Sequence, residues 1–231
     1  MQSTDNWEAL ESRVADEVID TVLAQHSGRP CFTCSFQAED VVVLDLLRKR
    51  VPEIPVLFLE TGYHFPETYE FRDRLARDWR LNLVNVLPIQ TVQHQESELG
   101  ILYRQDPTLC CRLRKVDPLF AALAPFDTWF TGLRREQSVT RKNLKKVELH
   151  QLPDGKSLTK VSPLADWTWG QVWEYTAGHK LEYLPQYDQG YFSIGCQPCT
   201  ALPEDPNNPR SGRWGGKKLE CGIHTFSERS Q

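Results

Sequence analysis

Four of the seven cysteines fall into two close pairs. Cys110 and Cys111 are adjacent, and Cys196 and Cys199 form Cys-Gln-Pro-Cys. Four thiolates can hold zinc or an iron–sulfur cluster. Neighbouring residues on a helix point about 100° apart, which suits the separate corners of a [4Fe–4S] cube better than one small ion. Cys221 has no cysteine near it in sequence and stands in Lys217-Lys218-Leu219-Glu220-Cys221-Gly222-Ile223-His224. The lysines and His224 favour its thiolate, the nucleophilic form. A glycine-bearing segment could carry it in and out of a crevice. Taken alone, a tail cysteine is more often incidental. Lys115 follows Cys111 by four residues, so on a helix the two share a face. Cys31 and Cys34 are also spaced Cys-x-x-Cys, but on a strand such positions face opposite ways. They read as small buried residues.

Three further segments could hold an anion. Ser35-Phe36-Gln37-Ala38-Glu39-Asp40 follows an apolar strand and runs into a helix, offering backbone N–H groups, a dipole end and a hydroxyl. It lacks Gly-x-x-x-x-Gly-Lys and is no Walker loop. Alone, it is as well explained as an ordinary strand-to-helix turn. Thr61-Gly62, followed by His64, sits after a second strand. Gly132 opens a third turn with Arg134, Arg135 and Arg141, and arginine forks suit phosphate and sulfate oxygens. A solvated basic loop is the plain alternative.

These segments need a frame. Apolar spacing predicts a helix over 7–25, then a strand over 31–35, a helix over 38–50 and a strand over 56–59. A helix over 66–80, a strand over 83–87, a helix over 108–123, a strand over 128–131 and a short helix over 171–178 follow. Short connections between alternating strands and helices imply an open, mostly parallel α/β sheet flanked by helices, with its crevice at the carboxyl ends of the strands. From Pro185 onward turn residues dominate. The expected division is one α/β nucleotide-binding domain over 1–190 and a second part, 191–231, carrying Cys196-x-x-Cys199 and a mobile catalytic tail.

The chain has 231 residues and a formal net charge of −4, so an anionic ligand needs a local basic site, and a nucleic-acid partner is not expected. No apolar run approaches the ~20 residues of a membrane span. The polar, acidic start lacks a secretory pattern. An odd number of cysteines in a reducing, cytoplasmic setting suits ligands and nucleophiles better than disulfides.

Together the segments from about Cys31 to His224 resemble the sulfonucleotide reductases, in particular the cluster-bearing branch that reduces adenosine 5′-phosphosulfate (APS). Cys110-Cys111 with Cys196-x-x-Cys199, and Glu220-Cys221-Gly222-Ile223-His224, carry the resemblance most specifically. Ser35 to Asp40 resembles that family's modified phosphate loop, with Gln37 or Ala38 where a glycine is usual. The resemblance implies an adenine nucleotide α-hydrolase-like fold and a [4Fe–4S] cluster on Cys110, Cys111, Cys196 and Cys199. It implies attack by Cys221 on the APS sulfur, helped by His224 and Lys115, and then release of sulfite by reduced thioredoxin. Substrate contacts are expected from Ser35, Phe36, Gln37, Asp40, Thr61, Gly62, Gly132, Arg134, Arg141, Arg210 and Arg213. With ten residues after Cys221, the thioredoxin is expected to be a separate protein; a homo-oligomer remains open. The nearest alternative is a reductase of 3′-phosphoadenylyl sulfate (PAPS), or of both nucleotides. An ATP pyrophosphatase would need a Ser-Gly-Gly-x-Asp-Ser loop, which Ser35 to Asp40 does not supply. A zinc-stabilised nucleotide-binding module would leave Cys221 without a role.

Overall fold

A computed structural model describes residues 7–25, 28–205, 208–216, 218 and 220–223. Its strands are β1 (Pro30–Thr33), β2 (Pro55–Leu59), β3 (Asn82–Val86), β4 (Thr128–Phe130), β5 (Val147–Gln151) and β6 (Ser157–Val161). They form one sheet in the order β3-β2-β1-β4-β6-β5. Every neighbouring pair is parallel except β5 with β6, which is antiparallel. The expected open, mostly parallel sheet is present, and its order reverses at β1 and β4, where α/β folds open their crevice.

The helices are α1 (Ala15–Gln25), α2 (Ala38–Arg48), α3 (Pro66–Asp78), α4 (Val92–Leu99), α5 (Leu102–Gln105), α6 (Pro107–Cys111), α7 (Asp117–Leu123) and α8 (Trp169–Gly178). The sheet is buried on both faces. Phe32 and Cys34 join one apolar cluster with Val41, Val42, Leu44 and Phe58. Cys31 joins the other with Leu57, Val116, Leu119 and Trp129. The period-2 alternation of a strand thus separates the Cys31 and Cys34 thiols across the sheet.

Three local expectations change. The helix over 7–25 is broken, with a 3₁₀ turn over Glu8–Ser12 before α1, and Val14 lies at the break, 62% exposed. The β5–β6 hairpin and α4 were not foreseen; Pro153-Asp154-Gly155 turns the hairpin, with Gly155 at φ 88°. The helix over 108–123 is three segments, α6, a single π-helical turn over Arg112–Val116, and α7. Pro118 gives the physical reason, since it has no N–H for the ladder and its ring crowds the carbonyl four residues back. The widened turn carries Arg114 and Lys115 immediately after the cysteine pair.

Candidate active site and cysteine centre

The carboxyl ends of β1, β2 and β4 open into a cavity of about 420 Å³. Of the residues expected at a ligand, Ser35, Gln37, Asp40, Lys115, Gly132, Arg134, Arg141, Arg210, Arg213 and Cys221 line it. Phe36, Thr61 and Gly62 do not. Phe36 takes a left-handed turn, φ 60°, unusual for a bulky residue. Its buried ring instead meets Phe58 and Phe71 edge-on. That anchor aims the flanking residues at the crevice. Asp40 Oδ2 accepts from both Ser35 N and Ser35 Oγ at 2.6 Å, and Gln37 Nε2 donates to Ser35 Oγ at 3.1 Å. Burial pushes the Asp40 carboxyl up to about 6, against the pull of these Ser35 hydrogen bonds. Gly132 lets the β4 turn lie on this loop, for a Cβ there would fall 2.1 Å from Asp40 Oδ1.

Thr61 and Gly62 belong to a neighbouring site. Cys110, Cys111, Cys196 and Cys199, all buried and free, line one small cavity with Thr61, Tyr63, Tyr103, Arg114, Lys115 and Trp214. Asp106 caps α6 by accepting from Thr108 N and Leu109 N, which fixes the adjacent pair. Gln197 N donates to Tyr63 O at 2.7 Å and sets Cys196 opposite that pair. Cys196 Sγ is hydrogen-bonded to Thr61 Oγ1 at 3.3 Å. Arg114 ties the π turn to the same loop, donating to Thr61 O at 2.5 Å and to Gln95 Oε1 at 3.0 Å.

The electrostatics single out one thiolate, since burial raises Cys110 and Cys199 while Cys196 is lowered. Burial raises the Cys110 thiol to about 12, and the charges of Cys111, Cys196 and Cys199 add to the effect. For Cys196 burial also opposes ionisation, but Lys115, the Thr61 hydroxyl and Arg213 outweigh it and lower its pKa. Lys115 is itself held more firmly charged: burial opposes its charge, and Cys196, Cys111 and Cys221 more than offset that. Lys115 therefore stands between the cysteine quartet and Cys221. Among the described residues no three Cys, His, Asp or Glu side chains converge on a single metal-ion position.

The arginines divide by task. Arg134 is used within the protein, paired with Glu39 at 2.8 Å and Glu136 at 2.9 Å, and donating to Trp167 O. Arg213 donates to Cys199 O and Ser193 Oγ, with its guanidinium 4.5 Å from the Trp214 ring centroid. Gly195 makes room for it, since a Cβ there would lie 2.2 Å from Arg213 Nη2. Arg141 and Arg210 both meet Glu220. Cys221 is partly buried against Trp214 on one side and Ile223 on the other, and lines the large cavity. His224, expected beside the thiol, lies outside the described residues.

Sequence reasoning missed Glu39, Arg114, Trp214 and Glu220. Trp214 follows Arg213 directly and was visible as an aromatic in a glycine-rich stretch; the other three gave no periodic signal. His64, a weak candidate, lines the crevice. Its Nε2 donates to Leu59 O at 2.8 Å, and burial, with Lys115 nearby, lowers its pKa to about 4. It is a neutral imidazole.

Residues 29–202 match the model of the phosphoadenosine phosphosulfate reductase domain. The chain belongs to that family. A Geobacillus kaustophilus protein named adenosine 5′-phosphosulfate reductase is 39% identical over 97% of this chain and 99% of its own. Adenosine 5′-phosphosulfate reductase 2 of Bacillus subtilis is also 39% identical, over 95% and 96%. A Gloeobacter violaceus protein named phosphoadenosine 5′-phosphosulfate reductase is 46% identical over 82% of this chain and 80% of its own. Among solved structures, the PAPS reductase of Candida auris superposes with a TM-score of 0.73 at 23% identity, covering 87% of this chain and 98% of that one. An FMN adenylyltransferase of Candida glabrata gives 0.61 at 14%, covering 88% and 69%. The last two likenesses concern the fold. The matched family domain contains all four clustered cysteines and ends before Arg210, Arg213 and Cys221.

Proposed function

We propose that this reductase converts APS to sulfite and AMP through a covalent S-sulfocysteine on Cys221, with reduced thioredoxin as the electron donor. The observation that carries the reading is the shared wall of one crevice. Cys221, Lys115, Arg141, Arg210 and Arg213 all line it, and the curated relatives named above point to a phosphosulfate ligand. Sulfur in APS is screened by anionic oxygens, and the leaving phosphate gains charge, so cations are most effective where that charge develops.

In the first half, the Cys221 thiolate forms an S–S bond to the sulfonyl sulfur. The S–O bond to AMP breaks, and AMP leaves with that electron pair on its phosphate. In the second half, a thioredoxin thiolate attacks Cys221 Sγ, and sulfite leaves with the S–S pair. The second thioredoxin thiol then resolves the mixed disulfide, so the dithiol supplies both electrons. Cys221 is partly buried, so the second half requires the Glu220–Ile223 segment to move outward.

Cys110, Cys111, Cys196 and Cys199 would hold a [4Fe–4S] cluster. Four thiols around one cavity fit it, and an adjacent cysteine pair reaches separate corners of a cube more readily than one small ion. Such a cluster would supply a fixed charge and a cross-link between α6 and the 196–199 turn; Lys115, beside Cys196, Cys111 and Cys221, would face both it and the substrate anion. Seven cysteines read as ligands, a nucleophile and small buried residues support a cytoplasmic setting; among the described residues no helix is long and apolar enough to cross a membrane.

A second reading, turnover of PAPS as well as APS, is favoured by the 46% identity to a protein named for PAPS. The deciding experiment is anaerobic incubation with each nucleotide, without thioredoxin, followed by intact mass and an iron and zinc assay. A gain of ~80 Da (one SO₃ group) on Cys221, with iron present, is expected with APS. No adduct from either nucleotide, with zinc in place of iron, refutes the reading.

A further inference from the structure

We propose that Glu220 is a positioning residue whose carboxylate occupies the anion-binding edge of Arg141 in the empty crevice and is displaced by the substrate's phosphosulfate oxygens. Anion binding then frees the Cys221 segment from its resting fork, so that it can leave once the sulfonate has been transferred. The inference rests on the reading that APS meets Cys221 in this crevice.

The Glu220 side chain is only 10% exposed. Arg141 Nε donates to Glu220 Oε1 at 2.9 Å and Arg141 Nη2 to Oε2 at 2.7 Å, a two-pronged fork. Thr140 Oγ1 donates to Oε1 at 2.9 Å, and Arg210 Nη2 lies 3.5 Å from Oε2. The third nitrogen of Arg141, Nη1, donates to Gln137 Oε1. All three guanidinium nitrogens therefore have acceptors before any ligand arrives. A phosphoryl or sulfonyl group presents two oxygens on the same fork geometry, so it can gain the Arg141 edge only by replacing Glu220 there.

Glu220 is bonded directly to Cys221, so the fork also decides where the thiol sits. In the empty crevice the carboxylate sits between the charges of Arg141 and Arg210. Once an anion has replaced it, nothing in this fork holds the segment, and Cys221 carrying its new sulfonate can swing outward. The device lets one arginine serve the tail and the substrate in turn.

The test uses the full chain with its cluster. APS binding is compared between Cys221→Ser and Cys221→Ser/Glu220→Gln, which blocks the chemistry in both. Loss of a competing charged fork is expected to tighten APS by about tenfold. In the substrate-free protein, Glu220→Gln alone is expected to speed iodoacetamide alkylation of Cys221 by a similar factor and to lower KM. Thr140→Ala, which removes one donor to the carboxylate, moves all three readouts the same way by less, and keeps the question open to test if the glutamine variant misfolds. A purely structural Glu220 would leave APS binding equal or weaker and alkylation unchanged; either result overturns the proposal. Absence of the ~80 Da adduct in the parent protein is read separately, by mass, and would remove the underlying reading and this proposal with it.

Discussion

Arg134 was expected at the substrate, yet its guanidinium is spent inside the protein, and removing it should therefore be felt first in stability. Its side chain is 4% exposed and that of Glu39 6%, with the two 2.8 Å apart. Two of its nitrogens reach Glu39 Oε1, and a third reaches Glu136 and Trp167 O. Arg134→Met keeps the length of the side chain but leaves the Glu39 carboxylate buried with only Gln137 Nε2 as a donor among its pairs here. Breaking a buried pair from one side costs about 3–5 kcal/mol, because the remaining charge is uncompensated. For a chain of this size that is roughly a 6–20 °C fall in Tm. Glu39→Leu/Arg134→Met removes both charges and should recover at least half of the loss, since isosteric apolar pairs often replace buried ion pairs without penalty. Urea unfolding of the two single variants and the double variant measures the coupling. KM for APS, measured on whatever folds, should change less than threefold at 10 °C, on the order of 0.6 kcal/mol. A single variant of unchanged stability with a KM raised a hundredfold would refute the clamp and return Arg134 to the substrate.

Lys115→Met should slow S-sulfonation of Cys221 by about 10²–10³, the usual cost of one lost charge at a developing anion; single-turnover mass spectrometry measures it. Cys221→Ser should keep the brown chromophore of the cluster and give no adduct, seen by absorbance and intact mass on one sample. Asp40 has a folded pKa raised to about 6 from 3.8 by burial, so the folded state binds the extra proton between those values. Its contribution opposes folding once pH exceeds about 6 and vanishes below the unfolded pKa. In the same window protonation removes a negative charge from the crevice, so APS, whose own charge is constant there, should bind the Cys221→Ser protein more tightly as pH falls through 6. Asp40→Asn should flatten that profile in isothermal titration. Gly212→Ala places a Cβ 2.1 Å from the Ala201 carbonyl oxygen, a backbone atom that cannot swing aside. A loss of about 2 kcal/mol or more in stability is expected, together with lower iron content, because Ala201 N bonds Gly212 O two residues beyond Cys199.

The parts of this protein that follow chain periodicity were legible, and the parts that depend on where loops turn were not. Val41 to Leu47 is apolar at every position but Asp45, and the segment is buried against the sheet and α8. No helix of that composition can be a surface element, so α2 could be placed from sequence. Ser35, Gln37 and Asp40 could likewise be assigned to the crevice, because a parallel strand delivers its following loop to the carboxyl edge. Phe36 could not be assigned correctly, since nothing local says that the chain enters the left-handed region there and turns the ring into the core. Thr61 and Gly62 leave the same edge of the sheet but lean the other way, toward Cys196, drawn by Arg114 from a helix fifty residues later in the chain. That contact depends on the π turn, and the π turn on a proline whose effect a helical wheel does not register.

The cysteine quartet shows the same division at the level of chemistry. Its residue types and pairing were plain, whereas the placement of adjacent cysteines against a distant Cys-x-x-Cys is a property of the fold. Asp106 caps α6 so that Cys110 and Cys111 emerge in its last turn, and Tyr63 receives the Gln197 amide to bring the second pair across. The widened turn that follows then presents Arg114 to the Thr61 loop and Lys115 to Cys196, Cys111 and Cys221. Had α6 continued as an ordinary α-helix, the side chains after Cys111 would advance about 100° per residue, not the smaller step of a five-residue hydrogen-bonded turn. The widened turn therefore changes the direction in which Lys115, which lines both the cysteine cavity and the crevice, leaves the helix. A single proline, Pro118, thus lies behind the geometry that couples the two sites. Pro118→Ala, by letting the α ladder close, should lower the S-sulfonation rate while leaving iron content intact. Unchanged kinetics in that variant would show that the π turn is held by Arg114 and its partners instead.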